Sequence, residues 1–241
     1  MIQLAVLTHR KKNNKMKNNH LLYSDFDKIS IDEFEENLPK LSPKITSHDD
    51  RFLMNDEEKI HVIENHFRGI MNALGLDLND DSLMGTPQRV AKMFVKEIFS
   101  GLNEENKPEI TLFENKYQYN KMLIEKGITL FSYCEHHFVP IIGKAHVAYI
   151  SKGKVIGLSK INRLVQYYSR RPQVQERLTV QIAEGLKKAI GTEDVAVLID
   201  AVHLCVASRG IRDTNSSTIT ANYSGKFINE ETKNEFLALI K

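Results

Sequence analysis

The stretch Ser132–Pro140, SYCEHHFVP, places a cysteine, a glutamate and two histidines side by side. Cys134 and His137 form a C-x-x-H pair, a spacing that lets one turn present two ligands to a single ion. The only other cysteine, Cys205, lies far along the sequence. Thiolates with an imidazole select zinc among the common metals. Three protein ligands would leave a tetrahedral ion one open position, as in catalytic zinc sites.

Other interpretations of these residues stay open at the level of sequence. Cys134 and Cys205 could be ordinary buried thiols or form a disulfide, although two scarce cysteines are typical of a protein from a reducing compartment. If Cys134 and His137 bind an ion, His136 points elsewhere but stays nearby, where a general acid is useful. His203 is a second candidate for proton transfer, and a hydrogen-bonded structural histidine is the alternative for both. Glu135 is expected to be structural.

Basic residues accompany this group in two further motifs. SKINR places Lys160 and Arg163 in the first turn of a predicted helix that Ser159 caps, where backbone N–H groups already favour an anion. Arg209 follows Cys205 in SRGIRD. Guanidinium and ammonium groups together suit a polyphosphate. A solvated basic surface is the alternative.

Gln175 and Glu176 in PQVQERLT begin another predicted helix. A carboxylate at this position could complement the helix dipole. It could equally accept two hydrogen bonds from the edge of a guanine base. The sequence position alone does not separate these two roles.

The elements that position these residues follow from hydrophobic spacing. Apolar residues recur at helical intervals after Asp56, then in GTPQRVAKMFVKEIFSGL, where Thr86 is the predicted N-cap, Pro87 follows it and Gly101 ends the helix. Arg89 and Lys92, three residues apart, share one face of this second helix. Two more helices are predicted after Ser159 and after Pro172, with apolar stripes that include Ile161, Leu164 and Val165, then Leu178, Ile182 and Leu186.

The remaining segments predict strands. ITLFSY leads into the first motif, and GKAHVAYI, SKGK and VIGL predict a hairpin. DVAVLIDAVHLCVASRG alternates over residues 195–207, which would place His203 and Cys205 on the same face of one strand. The order of helices, strands, two helices and strands predicts an α+β protein with helices on one face of an antiparallel sheet.

Composition limits the function classes. The chain has 241 residues, of which 41% are hydrophobic and 27% charged, as in a globular protein. No apolar run approaches the roughly 18 residues needed to cross a membrane, and we expect a cytoplasmic protein. Residues 1–24 carry five basic residues and no acidic one, so the rest has a net charge of −3 within the total of +2. The body therefore gives no electrostatic reason to expect nucleic acid.

Low complexity and two prolines predict that residues 1–50 form a disordered or weakly ordered extension. Residues 51–241 are predicted to form one catalytic domain. Within it, residues 51–118 form a helical segment and residues 119–241 the core.

Four long motifs together resemble the GTP cyclohydrolase I family. They are CEHHFVPIIGKAHVAYI, VIGLSKINRLVQ, RRPQVQERLT and HLCVASRGIRD, in this order and spacing, and the resemblance runs from about Asp56 to the C-terminus. It implies zinc-dependent hydrolytic opening of the guanine imidazole ring of GTP, with release of formate. Rearrangement would give 7,8-dihydroneopterin triphosphate, the first step of folate or pterin synthesis. Whether a regulatory protein or an end product controls the activity stays open.

The resemblance also implies roles for individual residues. Cys134, His137 and Cys205 correspond to the zinc ligands, His136 to the proton donor at the imidazole nitrogen of the base, and His203 to a second acid/base. Other residues correspond to the substrate-binding set. These are Ser159 for the ribose, Gln175 and Glu176 for guanine, and Lys160, Arg163, Arg209, Arg89 and Lys92 for the triphosphate.

The family's fold is the tunnelling fold, an antiparallel four-stranded sheet with two long helices, preceded by a helical N-terminal segment. The resemblance implies a homodecamer with active sites at subunit interfaces. Two alternatives are a zinc-stabilised binding module and another tunnelling-fold enzyme that acts on a pterin or a deazapurine. The second would need a covalent thiol nucleophile or another metal set, and the chain has no third cysteine to serve as that nucleophile.

Overall fold

The described part of the chain begins with a helical segment. The structure is a computed structural model, and the residues it describes are 54–241. The predicted extension, residues 1–50, lies outside the described residues, as do residues 51–53 of the predicted domain. Helix α1 (Asp56–Ala73) begins at a capping box: Asn55 Oδ1 accepts from Glu58 N, and Glu58 Oε2 accepts from Asn55 N at 2.8 Å. The helix predicted after Asp56 is confirmed.

The second helix has its N-cap one residue before the predicted cap. Helix α2 (Thr86–Lys92) follows Gly85 as the N-cap, and the chain continues in π-helical turns (Met93–Ile98) and two 3₁₀ turns (Ser100–Leu102, Glu104–Asn106). Thr86 N already donates to Leu83 O at 2.9 Å, so Thr86 lies inside the turn and the prediction that it caps the helix is wrong.

One sheet forms the centre of the described residues. Its antiparallel part has the order β2 (Met122–Cys134), β3 (Pro140–Ile150), β6 (Val195–His203) and β7 (Thr218–Tyr223). A two-residue strand, β5 (Pro172–Gln173), pairs in parallel with the end of β2, where Cys134 is opposite Gln173. The predicted α+β class is confirmed.

The predicted hairpin between residues 143–150 and 155–158 is wrong. Strand β4 (Lys154–Ile156) pairs instead with β1 (Leu112–Glu114), with Ile156 opposite Leu112. Both edges of β3 are occupied, because β2 pairs with one edge and β6 with the other. The chain after the turn at Gly153 must therefore leave this sheet and find another partner.

Two long helices cover one face of the sheet. Helix α3 (Leu158–Ser169) and helix α4 (Gln175–Ile190) bury the apolar stripes that the sequence predicts. These meet alternate residues of the strands in one core, including Leu130, Val147, Val197 and Ile199. The core includes Cys134 at the end of β2 and Ala201 near the end of β6, so the loops that follow these strands are attached to a closely packed core.

Strand β6 is shorter than the alternation predicts. It ends at His203, and Leu204–Ala207 form one helical turn, α5, in which Ser208 N donates to Leu204 O at 2.9 Å. The neighbouring strand β3 begins at Pro140, which has no N–H with which to continue the ladder. His203 and Cys205 therefore do not share a strand face, and that prediction is wrong.

The opposite face of the sheet carries a second, smaller core. The C-terminal helix α6 (Glu230–Ile240) and the 3₁₀ turn Gly225–Ile228 place Phe236 and Phe227 against Ala148, Ile150 and Ala196. Among residues 54–241, none of the helices combines the length and the apolar character needed to cross a membrane.

An aromatic cluster joins the N-terminal helical segment to the end of β2. The Phe99 ring lies 5.7 Å from Tyr133 and 5.1 Å from Phe138 between ring centroids, and Phe94 lies 6.4 Å from Phe138. Tilted and edge-to-face pairs at these distances are favourable contacts. The helical segment is thus packed on the turn that carries Cys134 and His137.

Candidate metal centre and substrate site

Three side chains from two distant segments converge at one end of the sheet. The ligand atoms of Cys134, His137 and Cys205 all lie within 4.8 Å of one another. Cys134 ends β2, and Cys205 follows the end of β6 in α5. Strand β3 lies between those two strands and brings their ends to the same level. The group is partly open, because Cys134 is buried, Cys205 is half-buried and His137 is exposed.

A tight turn returns His137 to Cys134. Phe138 N donates to Cys134 O at 2.8 Å, and Cys134 N donates to Val139 O at 2.9 Å. Phe138 has φ 54°, a left-handed conformation that is uncommon for a residue other than glycine. This turn places His137 Nδ1 3.8 Å from Cys134 Sγ, which gives the C-x-x-H spacing its geometric basis.

The donor set fits a soft or borderline divalent metal. Two thiols and one imidazole are typical ligands of zinc. Burial raises the pKa of the Cys205 thiol, and the neighbouring Cys134 raises it further. A divalent cation reverses this effect, because coordination deprotonates thiols outright. The three residues are therefore able to hold a metal ion.

His136 stands beside this group with its ring turned to solvent. Its Nδ1 lies 3.7 Å from Cys134 Sγ, and 63% of its side chain is exposed. On the other side, its Nε2 lies 4.0 Å from Glu135 Oε1. This position is open to a substrate and close to the proposed ion, as a group that moves a proton requires.

Glu135 ties the turn to the start of α4. It forms an ion pair with Arg177, and Glu135 N donates to Gln173 O at 3.0 Å. Arg177 also donates to Gln173 Oε1 at 2.9 Å and to Pro172 O at 3.1 Å. The arrangement agrees with the structural role expected for Glu135. Arg177 was not predictable from the sequence, because its partner Glu135 lies 42 residues away and no local pattern links the two.

His203 forms a side-chain hydrogen bond with Gln175. The two side chains meet with His203 Nε2 2.7 Å from Gln175 Oε1. Burial lowers the pKa of His203, whereas the nearby charge of Glu176 acts to raise it. Glu176 is exposed at the start of α4, but Gln175 is only 1% exposed. The two residues predicted to bind guanine thus have different surroundings.

The residues expected at the phosphates occupy two places. Helix α3 begins at Leu158 after Gly157, so Ser159 is not its N-cap, and that prediction is wrong. Lys160 lies in the first turn, and Arg163 lines a cavity of about 320 Å³ with Lys96 and Arg170. Arg209 lies near the metal group, since its charge acts to lower the pKa of Cys205.

Arg89 and Lys92 are exposed on α2. The guanidinium of Arg89 donates to Ser82 O at 2.9 Å and to Thr86 Oγ1 at 2.7 Å. Both acceptors belong to the segment around α2. Within the described residues, these contacts of Arg89 keep it in its own segment and do not join it to the metal group.

Comparisons with known proteins agree over most of the chain. The sequence model described as GTP cyclohydrolase I matches residues 63–241. The chain is 57% identical over 211 residues to GTP cyclohydrolase 1 of Flavobacterium johnsoniae, which covers 88% of this chain and 95% of that protein. It is 54% identical over 189 residues to GTP cyclohydrolase 1 of Aeromonas salmonicida, covering 78% of this chain and 87% of that protein.

One solved structure was also compared with the described fold. The crystal structure of the archaeosine synthase QueF-Like in the apo form aligns with 44% of this chain and 92% of that chain. The sequence identity is 21% and the TM-score is 0.35. A likeness at this level carries no argument about fold or function.

Proposed function

Because the chain belongs to the GTP cyclohydrolase I family and is an enzyme of that class, we propose that it opens the guanine imidazole ring of GTP, releases formate and forms 7,8-dihydroneopterin triphosphate. This would be the first step of folate or pterin biosynthesis. The observation that carries the proposal is the convergence of Cys134, His137 and Cys205 beside an exposed His136. A binding module without catalysis does not account for the enzymes among its relatives.

We propose zinc as the metal. Cys134, His137 and Cys205 would hold it, since two thiolates and an imidazole suit this ion and their ligand atoms already lie within 4.8 Å of one another. When bound, zinc supplies an activated water for hydrolysis at neutral pH.

The two remaining histidines would move protons. His136 is exposed next to Cys134 and would donate a proton to the imidazole nitrogen of the base as the ring opens. His203 is half-buried at the end of β6, and would act as a second acid/base in ring opening and in the rearrangement of the ribose. Burial lowers the pKa of His203, which favours the neutral form that accepts a proton.

The substrate would extend from α4 towards α3. Glu176 would accept hydrogen bonds from the ring N–H and the amino group of guanine, with Gln175 supporting this pocket, and Ser159 would contact the ribose. Lys160, Arg163 and Arg209 would bind the triphosphate. We propose that Arg89 and Lys92 reach the same triphosphate from another subunit, because the contacts of Arg89 lie within its own segment.

The proposal includes the wider architecture. The four antiparallel strands and the two long helices fit the tunnelling fold, with residues 51–241 as one catalytic domain, in which residues 51–118 are the helical segment and residues 119–241 the core. We also propose that the protein is a homodecamer in the cytoplasm and that its active sites lie at the subunit interfaces.

The direct test is the formate assay on protein of known metal content. We expect about one zinc per chain, and we expect GTP to give formate and a product that becomes fluorescent as a neopterin after oxidation and dephosphorylation. Removal of the metal by a chelator should abolish formate release, and added zinc should restore it. Zinc-replete protein that never releases formate from GTP would contradict the proposed reaction.

Substitution of Glu176 tests base recognition. Glu176→Ala should raise the KM for GTP about 10- to 100-fold, because hydrogen bonds to a charged group contribute about 1.5–3 kcal/mol. Glu230→Ala is a suitable control, since Glu230 is 76% exposed and pairs with Lys233 in the C-terminal helix. An unchanged KM in Glu176→Ala would refute the role in guanine binding.

A further inference from the structure

The side-chain amide of Gln175 is fully engaged inside the protein. Its Nε2 lies 2.8 Å from Thr218 O, 3.1 Å from Thr220 Oγ1 and 3.2 Å from Ile199 O. Its Oε1 lies 2.7 Å from His203 Nε2. An amide nitrogen has two hydrogens to donate, and the three acceptors use both. Gln175 is also 1% exposed, so its side chain has no surface with which to meet a substrate.

The chemistry of these partners settles which end of the amide faces His203. Thr218 and Ile199 contribute backbone carbonyl oxygens, which only accept hydrogen bonds. The reversed amide would place its oxygen against these two carbonyl oxygens with no hydrogen between them, and the hydrogen bonds that the nitrogen donates to them would be lost. The nitrogen must therefore face β6 and β7, and the oxygen must face His203.

A ring of hydroxyl groups supports the same orientation. Thr179 Oγ1 donates to Gln175 O at 2.8 Å, so its single hydrogen is used. Thr220 Oγ1 lies 2.6 Å from Thr179 Oγ1 and must be the donor of that pair. The remaining contact of Thr220 Oγ1 is then that of an acceptor, which requires the nitrogen of Gln175 on this side.

Because Gln175 presents an oxygen, the facing nitrogen of His203 must carry a hydrogen. We propose that Gln175 is a positioning residue that holds neutral His203 in the Nε2–H tautomer and leaves Nδ1 as the nitrogen that exchanges a proton with the substrate. The role of His203 in catalysis rests on the proposed function, whereas the tautomer does not depend on it. Gln175 acts through His203 and does not contact the base.

Nitrogen-15 NMR tests the tautomer without substrate. In zinc-loaded protein labelled at histidine, the His203 signals are identified as those absent from His203→Gln protein. At a pH where His203 is neutral, we expect a protonated Nε2 and an unprotonated Nδ1, because a pyrrole-type and a pyridine-type nitrogen differ widely in shift. A protonated Nδ1 with an unprotonated Nε2 in the native protein would overturn the proposal, whether or not the protein releases formate.

Removal of the amide gives the second spectroscopic arm. Gln175→Met keeps a similar volume and should allow the Nδ1–H tautomer to appear. Gln181→Met is the matched control, because Gln181 is another buried glutamine of α4, 7% exposed, whose Oε1 accepts from Gln173. It should leave the tautomer of His203 unchanged. If folded Gln175→Met protein still showed only the Nε2–H tautomer of His203, Gln175 would not be the residue that sets this tautomer.

Kinetics separate positioning from substrate contact. With zinc content unchanged, Gln175→Met should lower kcat about 10- to 100-fold, a part of the about 10²- to 10⁴-fold effect of a general acid/base, and change the KM for GTP less than about twofold. In a His203→Ala background the same change should have no further effect on kcat. A raised KM with unchanged kcat would mean that Gln175 contacts the base. Equal losses of kcat in both backgrounds would mean that it acts independently of His203.

Discussion

Purified Cys205→Ser protein is expected to lose its metal and its GTP cyclohydrolase activity together. Serine keeps the shape of the side chain but replaces a soft thiolate with a neutral hydroxyl, which is a poor zinc ligand. Changes outside the ligands already cost about 10- to 100-fold in metal affinity, so we expect a larger loss here. Metal analysis after dialysis and the formate assay measure the two effects on the same sample.

The Cys205→Ser protein should stay folded, because of where Cys205 lies. It lies half-buried on the single helical turn α5, above the main core and not within it. Circular dichroism should therefore show an unchanged α+β spectrum. Ser208→Ala, at the end of the same turn, should retain the metal. If Cys205→Ser protein keeps one zinc per chain after dialysis, Cys205 is not a ligand.

His136→Ala is expected to keep the metal and lose turnover. His136 is adjacent to the ligands in sequence, but its ring faces solvent and it does not belong to the group of three. Loss of a general acid typically lowers kcat about 10²- to 10⁴-fold. The bound zinc per chain should stay at the native value, and the affinity for GTP should change little.

The neighbouring histidine provides the matched comparison. His137→Ala removes an equally large side chain from the same turn and should lose zinc and activity together, because His137 lies within 4.8 Å of both cysteines. The two variants thus separate metal binding from proton transfer. Equal loss of zinc in both would show that the roles of the two histidines are wrongly divided.

The helices and the main core were predictable because their signal is local. Apolar spacing along 158–169 and 175–190 places the same residues in the core that the structure buries, among them Leu164, Leu178 and Ile182. Caps were less predictable. The observed N-cap Gly157 lies two residues before the predicted cap Ser159, and the observed N-cap Gly85 lies one residue before the predicted cap Thr86. Turns before a helix follow hydrogen bonds that composition does not reveal.

Pairing between distant segments was the main source of error. Strand β4 pairs with β1, some 40 residues earlier by register, because β3 has no free edge for a hairpin. The alternating pattern through Cys205 is equally compatible with a strand and with a short turn, and the end of β3 at Pro140 decides between them. No property of the local sequence contains that information.

In the candidate site, too, the features set by nearby residues were predictable and those that join distant segments were not. The C-x-x-H spacing predicts a two-ligand turn, which the structure has, and the scarcity of cysteine points to Cys205 as their partner. The ion pair of Arg177 with Glu135 and the hydrogen bonds of Gln175 were not predictable, because each depends on a segment 24 to 45 residues away. Polar side chains on a helix start give no sign of whether they face a ligand or the interior.

The aromatic cluster at Phe138 has a thermodynamic consequence. Phe138 closes the turn that carries Cys134 and His137, and its ring also packs on Phe94 and Phe99 of the N-terminal helical segment. A ligand that stabilises the closed turn would also stabilise the docked helices, since linkage is reciprocal. Filling of the candidate metal centre would strengthen attachment of the first helices, and their attachment would raise the affinity for the ion by the same factor.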